Sequence, residues 1–129
     1  MRRALVVDDE ADSRDFVRAI LESDGWTVIE AADGEAGLSQ ARSAKPDLIV
    51  LDVQMPKKDG FGVFADLAAE PGGLASKIVM LTGVREKVGI WFSAGEMGEF
   101  LGREPDAYVE KPIDPDAFKR IVSEVMGGA

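Results

Sequence analysis

Residues 48–60 read LIVLDVQMPKKDG, and the first five letters decide the fold class. Leu48, Ile49, Val50 and Leu51 form an unbroken apolar run, whereas a strand with one wet face alternates apolar and polar residues. Continuous runs of this length suit strands covered on both faces, as in the parallel sheet of an α/β protein. Asp52 then closes the run with a carboxylate. Working outward, continuous runs also occur within Ala4–Val7 and Ile78–Leu81, with further apolar stretches at Trp26–Ile29 and, shorter, at Ala107–Val109.

Helical patterns separate the runs. Ser13–Asp24 carries Phe16, Val17, Ile20 and Leu21 at helical spacing and meets a stop at Gly25. Gly34–Ala44 is rich in small residues, with Ala36, Leu38 and Ala41, and ends before Lys45-Pro46-Asp47. Phe61–Ala69 offers Phe61, Phe64 and Leu67 before Pro71-Gly72-Gly73. The last helix has Asp114 as N-cap, Pro115 in its first turn, and Phe118, Ile121, Val122 and Val125 on one face. Strand and helix alternate throughout, so we expect a five-stranded parallel sheet, order 2-1-3-4-5, doubly wound by helices. The segment from Gly83 to Asp106 resists the pattern, with glycines at 83, 89, 95, 98 and 102. Each interior glycine costs about 1 kcal/mol in a helix. An irregular, extended fourth-helix region is expected there, with a non-helical stretch around Ile90–Ser93.

Composition narrows the chemistry. The 129 residues include 24 acidic and 15 basic side chains, a formal charge of −9, with no cysteine and no histidine. Disulfides, thiolate metal sites, cysteine nucleophiles and imidazole catalysis are excluded. An isoelectric point near 4.5 argues against direct nucleic-acid binding. The apolar run after Met1-Arg2-Arg3 ends at Asp8-Asp9-Glu10, too early for a signal peptide, and no run approaches a membrane span. A cytoplasmic protein without membrane insertion is expected.

The remaining polar groups fall at strand ends. Asp8 and Asp9 follow the first strand, Asp52 closes the third, Thr82 follows the fourth and Lys111 lies just past the fifth. In a 2-1-3-4-5 sheet these ends share one edge, where ligands bind. Three carboxylates within about 5 Å repel one another by roughly 3 kcal/mol per pair at an effective dielectric of 20. Lys111 offsets one charge; Mg²⁺, or Mn²⁺ in its place, would offset the rest with all-oxygen ligands. A divalent cation, a lysine and a threonine hydroxyl can hold a phosphoryl group while a carboxylate attacks it.

VVDDE at 6–10, LIVLDVQMPKKDG at 48–60, MLTG at 80–83 and YVEKP at 108–112 together resemble the receiver domain of two-component response regulators, CheY-like and flavodoxin-like in fold. The resemblance covers essentially the whole chain, one receiver domain over 1–129 with no output domain within it. It implies that Asp52 is the phosphoacceptor, that Asp9 and Asp52 bind Mg²⁺ directly, that Asp8 acts through water, and that Gln54 contributes its backbone carbonyl. Lys111 and Thr82 contact the phosphoryl group, Tyr108 is the switch aromatic, and Pro112 follows a cis bond that aims Lys111 inward. The implied donor is a sensor histidine kinase or phosphotransfer protein, and with no histidine here it lies outside this chain. The implied target is a downstream protein that reads the face built from the fourth helix, fifth strand and fifth helix. Such a protein is a self-modifying switch rather than a turnover enzyme.

Plainer readings stand beside these. Asp8 and Asp9 could cap a helix. Asp59-Gly60 reads as turn chemistry, and Tyr108 as ordinary packing. The 29 positions from Thr82 to Lys111 exceed the usual receiver spacing. Trp91 and Phe92, within that excess, either anchor a partner or staple the segment to its own domain, the second being favoured. Two rival functions are a phosphorylation-independent interaction module and an aspartate-nucleophile phosphatase. The second wants Asp-x-Asp-x-Thr, and Gln54 stands where the second acid belongs. A flavodoxin-type electron carrier is weaker still, because no phosphate-cradling loop follows the first strand.

Overall fold

The structure, a computed structural model, describes residues 2–52, 62, 63, 66, 76–82, 106–110 and 112–127. Strands β1 (Arg3–Val7), β2 (Thr27–Ala31), β3 (Leu48–Asp52), β4 (Lys77–Thr82) and β5 (Ala107–Glu110) form one sheet in the order β2-β1-β3-β4-β5. Every pairing is parallel. All five residues of β3 are buried, as its unbroken apolar run requires.

Alternation along the strands sorts side chains onto two faces. Leu5, Val7, Ile49, Leu51, Ile78 and Met80 pack with Leu38 and Ala41 of helix α2 (Gly34–Ala44) and with Val63. Ala4, Val6, Leu48, Val50, Val79 and Leu81 pack with Val17, Ile20 and Leu21 of helix α1 (Ala11–Ser23). Phe118 and Val122 of the C-terminal helix (Pro115–Val125) complete that second core. The sheet is therefore covered on both sides, the doubly wound arrangement expected. Gly62, Val63 and Asp66 are helical, within the helix expected at 61–69. The segment from 83 to 105, with its expected irregular helix, lies outside the described residues.

Two local expectations are corrected. The second strand runs from Thr27 to Ala31, not from Trp26 to Ile29. The Trp26 amide donates to the Leu21 carbonyl at 3.1 Å, so this residue closes the end of α1 instead of entering the ladder. Its ring is buried in the α1-side core, with the Arg2 guanidinium 5.6 Å from the ring centroid. Phe16 does not join the buried face of α1: it is 45% exposed, because the stripe through Val17, Ile20 and Leu21 is narrow and Phe16 falls at its margin. In α2 the close approach to the sheet is made by Gly37, while Ala36 is exposed. A Cβ at Gly37 would stand 2.9 Å from both γ-methyls of the fully buried Val7, so only glycine lets the helix lie that close to β1.

Helix ends follow their sequence signals. Asp33 and Asp114 accept from the amides of Ala36 (2.8 Å) and Ala117 (3.0 Å), capping α2 and the C-terminal helix. Gly25 adopts φ +87° after α1. Helix α2 ends differently, on Lys45 with φ 47° and ψ 61°, a left-handed conformation that glycine usually supplies. Arg3 helps close this end by donating to the Ala44 carbonyl at 2.7 Å. Lys45→Gly is expected to raise unfolding free energy by about 0.5–1 kcal/mol, less than the full steric cost because glycine also loosens the unfolded chain. Urea denaturation checks it; an unchanged or lower midpoint would show that Lys45 is not strained.

Candidate functional site

The register carries the acidic residues to one point. Val7 of β1 pairs with Leu51 of β3, so Asp8 and Asp52, the next residues, end neighbouring strands side by side. This is where strand order reverses, with β2 leaving to one side of β1 and β3 to the other. A carboxylate oxygen from each of Asp8, Asp9 and Asp52 lies within 4.8 Å of the others. Asp8 is fully buried, Asp52 is buried and Asp9 is exposed. At that separation each pair of charges repels by about 3 kcal/mol at an effective dielectric of 20.

Asp8 is held by both its backbone and its side chain. Its amide donates to the Ala31 carbonyl at 3.1 Å, carrying the β1–β2 pairing one step beyond the strand. Its Oδ1 accepts from the Glu10 amide at 3.0 Å, and its carbonyl accepts from Arg14 Nη1 at 2.7 Å. Neither acid is the N-cap residue of α1, which is Glu10 and makes no side-chain cap bond, but Asp8 Oδ1 engages the amide of that N-cap. Arg14 Nε lies 3.5 Å from Glu30 Oε1, and Glu30 Oε2 accepts from Arg18 Nη1 at 2.8 Å. Arg18 also donates to Glu22 at 3.2 Å. The Arg18 guanidinium is held above its ordinary pKa first by its hydrogen bond to Glu30 and then by that to Glu22.

Thr82 ends β4, the strand beside Asp52, and is buried. Tyr108 pairs with Met80 and packs against the α2-side core, its hydroxyl shielded from solvent. By alternation Thr82 shares the face of Met80, two residues nearer the carboxyl edge, so the threonine and the tyrosine lie diagonally on one face. Tyr108 is partly buried against that core. Gln54, Lys111, Trp91 and Phe92 lie outside the described residues, as does the bond joining Lys111 to Pro112. Sequence reading brought Asp8, Asp9, Asp52 and Thr82 to this edge but missed Arg14 and Glu30. The available signal was Glu30 itself, the one charged residue in the strand TVIEA.

The donor set, all oxygen and with two of its three acids buried, fits a hard divalent cation such as Mg²⁺. A parallel doubly wound sheet with a pocket at its switch point defines the class of α/β proteins that bind ligands at the carboxyl edge of the sheet. The response regulator receiver domain profile matches residues 4–123, and the chain belongs to that family. It is 40% identical over 127 residues to the alkaline phosphatase synthesis transcriptional regulatory protein PhoP of Bacillus subtilis, covering 97% of this chain and 48% of that protein. Protein PilH of Pseudomonas aeruginosa is 28% identical over 130 residues, covering 99% of this chain and 100% of its own. The chain spans about half the length of most of the curated relatives it matches. Among solved structures, the chemotaxis protein CheY4 of Vibrio cholerae superposes with a TM-score of 0.78 at 28% identity, covering 97% of this chain and 98% of that one. A response regulator receiver protein from Burkholderia phymatum gives 0.75 at 31% identity, covering 100% and 98%. Receiver domains generally bind Mg²⁺ at an acidic pocket and interact with histidine kinases or phosphotransfer proteins, and this chain has an acidic cluster of Asp8, Asp9 and Asp52. Among the described residues no helix is long and apolar enough to cross a membrane.

Proposed function

We propose that residues 1–129 act as one receiver domain in which Asp52 accepts a phosphoryl group from a phosphohistidine of a kinase or phosphotransfer protein. The observation that carries this reading is the convergence of Asp8, Asp9 and Asp52 within 4.8 Å at the switch point of a parallel sheet. An Asp52 carboxylate oxygen attacks phosphorus, and the phosphorus–nitrogen bond breaks with its electron pair passing to the donor imidazole. The chain has no histidine, so that imidazole belongs to another segment or another protein. Asp9 and Asp52, with Asp8 and the Gln54 backbone carbonyl, would hold Mg²⁺. The cation supplies charge neutralisation that lets anionic phosphate approach three carboxylates. Lys111 contacts the phosphoryl oxygens.

Thr82 then donates its hydroxyl to a phosphoryl oxygen. Because it shares a face with Tyr108, its displacement alters the packing around that ring and changes the surface offered to a downstream protein. The test is incubation with acetyl phosphate and Mg²⁺, followed by intact mass and hydroxylamine lability. One labile phosphoryl group per chain, absent when EDTA replaces Mg²⁺, is expected. No acyl phosphate under any condition would favour the phosphorylation-independent module, and sustained hydrolysis of phosphomonoesters would favour the phosphatase.

A further inference from the structure

Asp9 is the exposed member of the acidic triad, yet both peptide units flanking it are pinned. The carbonyl of Asp8 belongs to the same planar unit as the Asp9 amide, and it accepts from Arg14 Nη1 at 2.7 Å. The Glu10 amide belongs to the unit that follows Asp9, and it donates to Asp8 Oδ1 at 3.0 Å. With both planes fixed, φ and ψ of Asp9 are fixed too, and with them the direction of its Cα–Cβ bond. The first pin depends on a side chain from α1 that is itself steered from β2, because Arg14 Nε faces Glu30 Oε1 at 3.5 Å. Glu30 is held in turn by Arg18 at 2.8 Å, and Arg18 by Glu22 at 3.2 Å. The chain Glu22–Arg18–Glu30–Arg14 therefore runs from the surface of α1 to the backbone of the acidic pocket.

We infer that Arg14, oriented by Glu30, is a positioning residue that sets the affinity of the pocket for its divalent cation by fixing the Asp8–Asp9 peptide plane. This rests on the reading of Asp8, Asp9 and Asp52 as the cation's ligands. Two effects of the guanidinium oppose each other. As a positive charge near the pocket it disfavours a cation, so its removal would tighten binding. As a clamp it preorganises Asp9, so its removal would weaken binding. Glu30 shares its two oxygens between Arg14 and Arg18, which reduces the net field at the pocket while leaving the hydrogen bond intact. The clamp therefore dominates. Groups that orient metal ligands are worth about 10–100-fold in affinity.

The experiment is Mg²⁺ titration by calorimetry on the wild-type chain, Arg14→Met, Arg14→Lys and Glu30→Gln, with urea denaturation of each metal-free protein as a fold control. Arg14→Met keeps the aliphatic stem and should raise the Mg²⁺ dissociation constant about tenfold. Arg14→Lys can replace the bond to the Asp8 carbonyl but not the simultaneous contact with Glu30, so it should recover part of the loss. Glu30→Gln, which weakens only the steering and leaves the hydrogen bond in place, should raise the constant less, about threefold, below that range. Phosphorylation by acetyl phosphate should then need proportionally more Mg²⁺ while the rate at saturating Mg²⁺ stays near wild type. A merely structural arginine would shift the denaturation midpoint and leave the Mg²⁺ constant alone, which overturns the inference. Tighter Mg²⁺ binding in Arg14→Met overturns it as well, because the guanidinium would then act only as a charge. Absence of Mg²⁺ binding by the wild-type chain sinks the underlying ligand assignment instead.

Discussion

Asp52→Asn is expected to reduce acyl-phosphate formation from acetyl phosphate by at least about a hundredfold, the largest functional effect of any single change in this chain. The substitution keeps shape and removes the nucleophile. A carboxamide oxygen lacks the charge needed to attack phosphorus, and the site loses one of the acids proposed to hold Mg²⁺. The fold should survive, because Asp52 is the last residue of β3 and its burial follows from the register of that strand and not from its charge. Removing one of three mutually repelling carboxylates should leave the metal-free protein as stable as wild type or more so. Hydroxylamine-labile phosphate measured by intact mass, with urea denaturation alongside, separates the two effects. Labelling at the wild-type level in Asp52→Asn would assign the acceptor elsewhere, with Asp9, the exposed acid of the triad, the first alternative.

What could be read from the letters depended on the range of the forces involved. Helix α2 was legible to the residue, Gly34 to Ala44, because Asp33 caps it and Lys45-Pro46 ends it through local backbone effects. β3 was legible because an apolar run covered on both sides has one economical place in a sheet. Trp26 misled for the same reason: an apolar letter beside Thr27-Val28-Ile29 reads as strand, while its amide is committed to the end of α1. The triad was legible because parallel register carries strand ends together however distant they are in the chain. Arg14 and Glu30 were not, since a charged residue on a helix usually reads as solvated surface. Their meeting requires α1 to lie across β1 and β2 at a particular height, which no local pattern encodes. The one sign of it was a lone acid in an otherwise uncharged strand.

The burial of Asp8 leads to the second large effect, which separates stability from function at one atom. Asp8 is fully buried, with both other carboxylates within 4.8 Å, and its Oδ1 is already engaged by the Glu10 amide. Asp8→Asn keeps that bond, since the amide oxygen can accept it, and turns a repelling oxygen into an NH₂ donor facing carboxylates. Metal-free Asp8→Asn should therefore unfold at higher urea than wild type, by about 1–3 kcal/mol, the repulsion per pair discounted for relaxation and solvent. Adding Mg²⁺ should narrow that gap by more than about 1 kcal/mol. A ligand that binds only the folded state at 100 times its dissociation constant stabilises that state by about 2.7 kcal/mol. Wild type should gain that increment and the variant, with its affinity reduced at least about tenfold, should gain about half of it or less at the same Mg²⁺ concentration. If metal-free Asp8→Asn is instead less stable than wild type, the negative charge of Asp8 is already matched within the protein. The pocket would then be an ion-paired structural element, and its capacity for a cation would have to come from displacing that pairing. Stability sacrificed in the empty pocket and recovered on cation binding is the signature that distinguishes a site kept for phosphoryl chemistry from acids kept for folding.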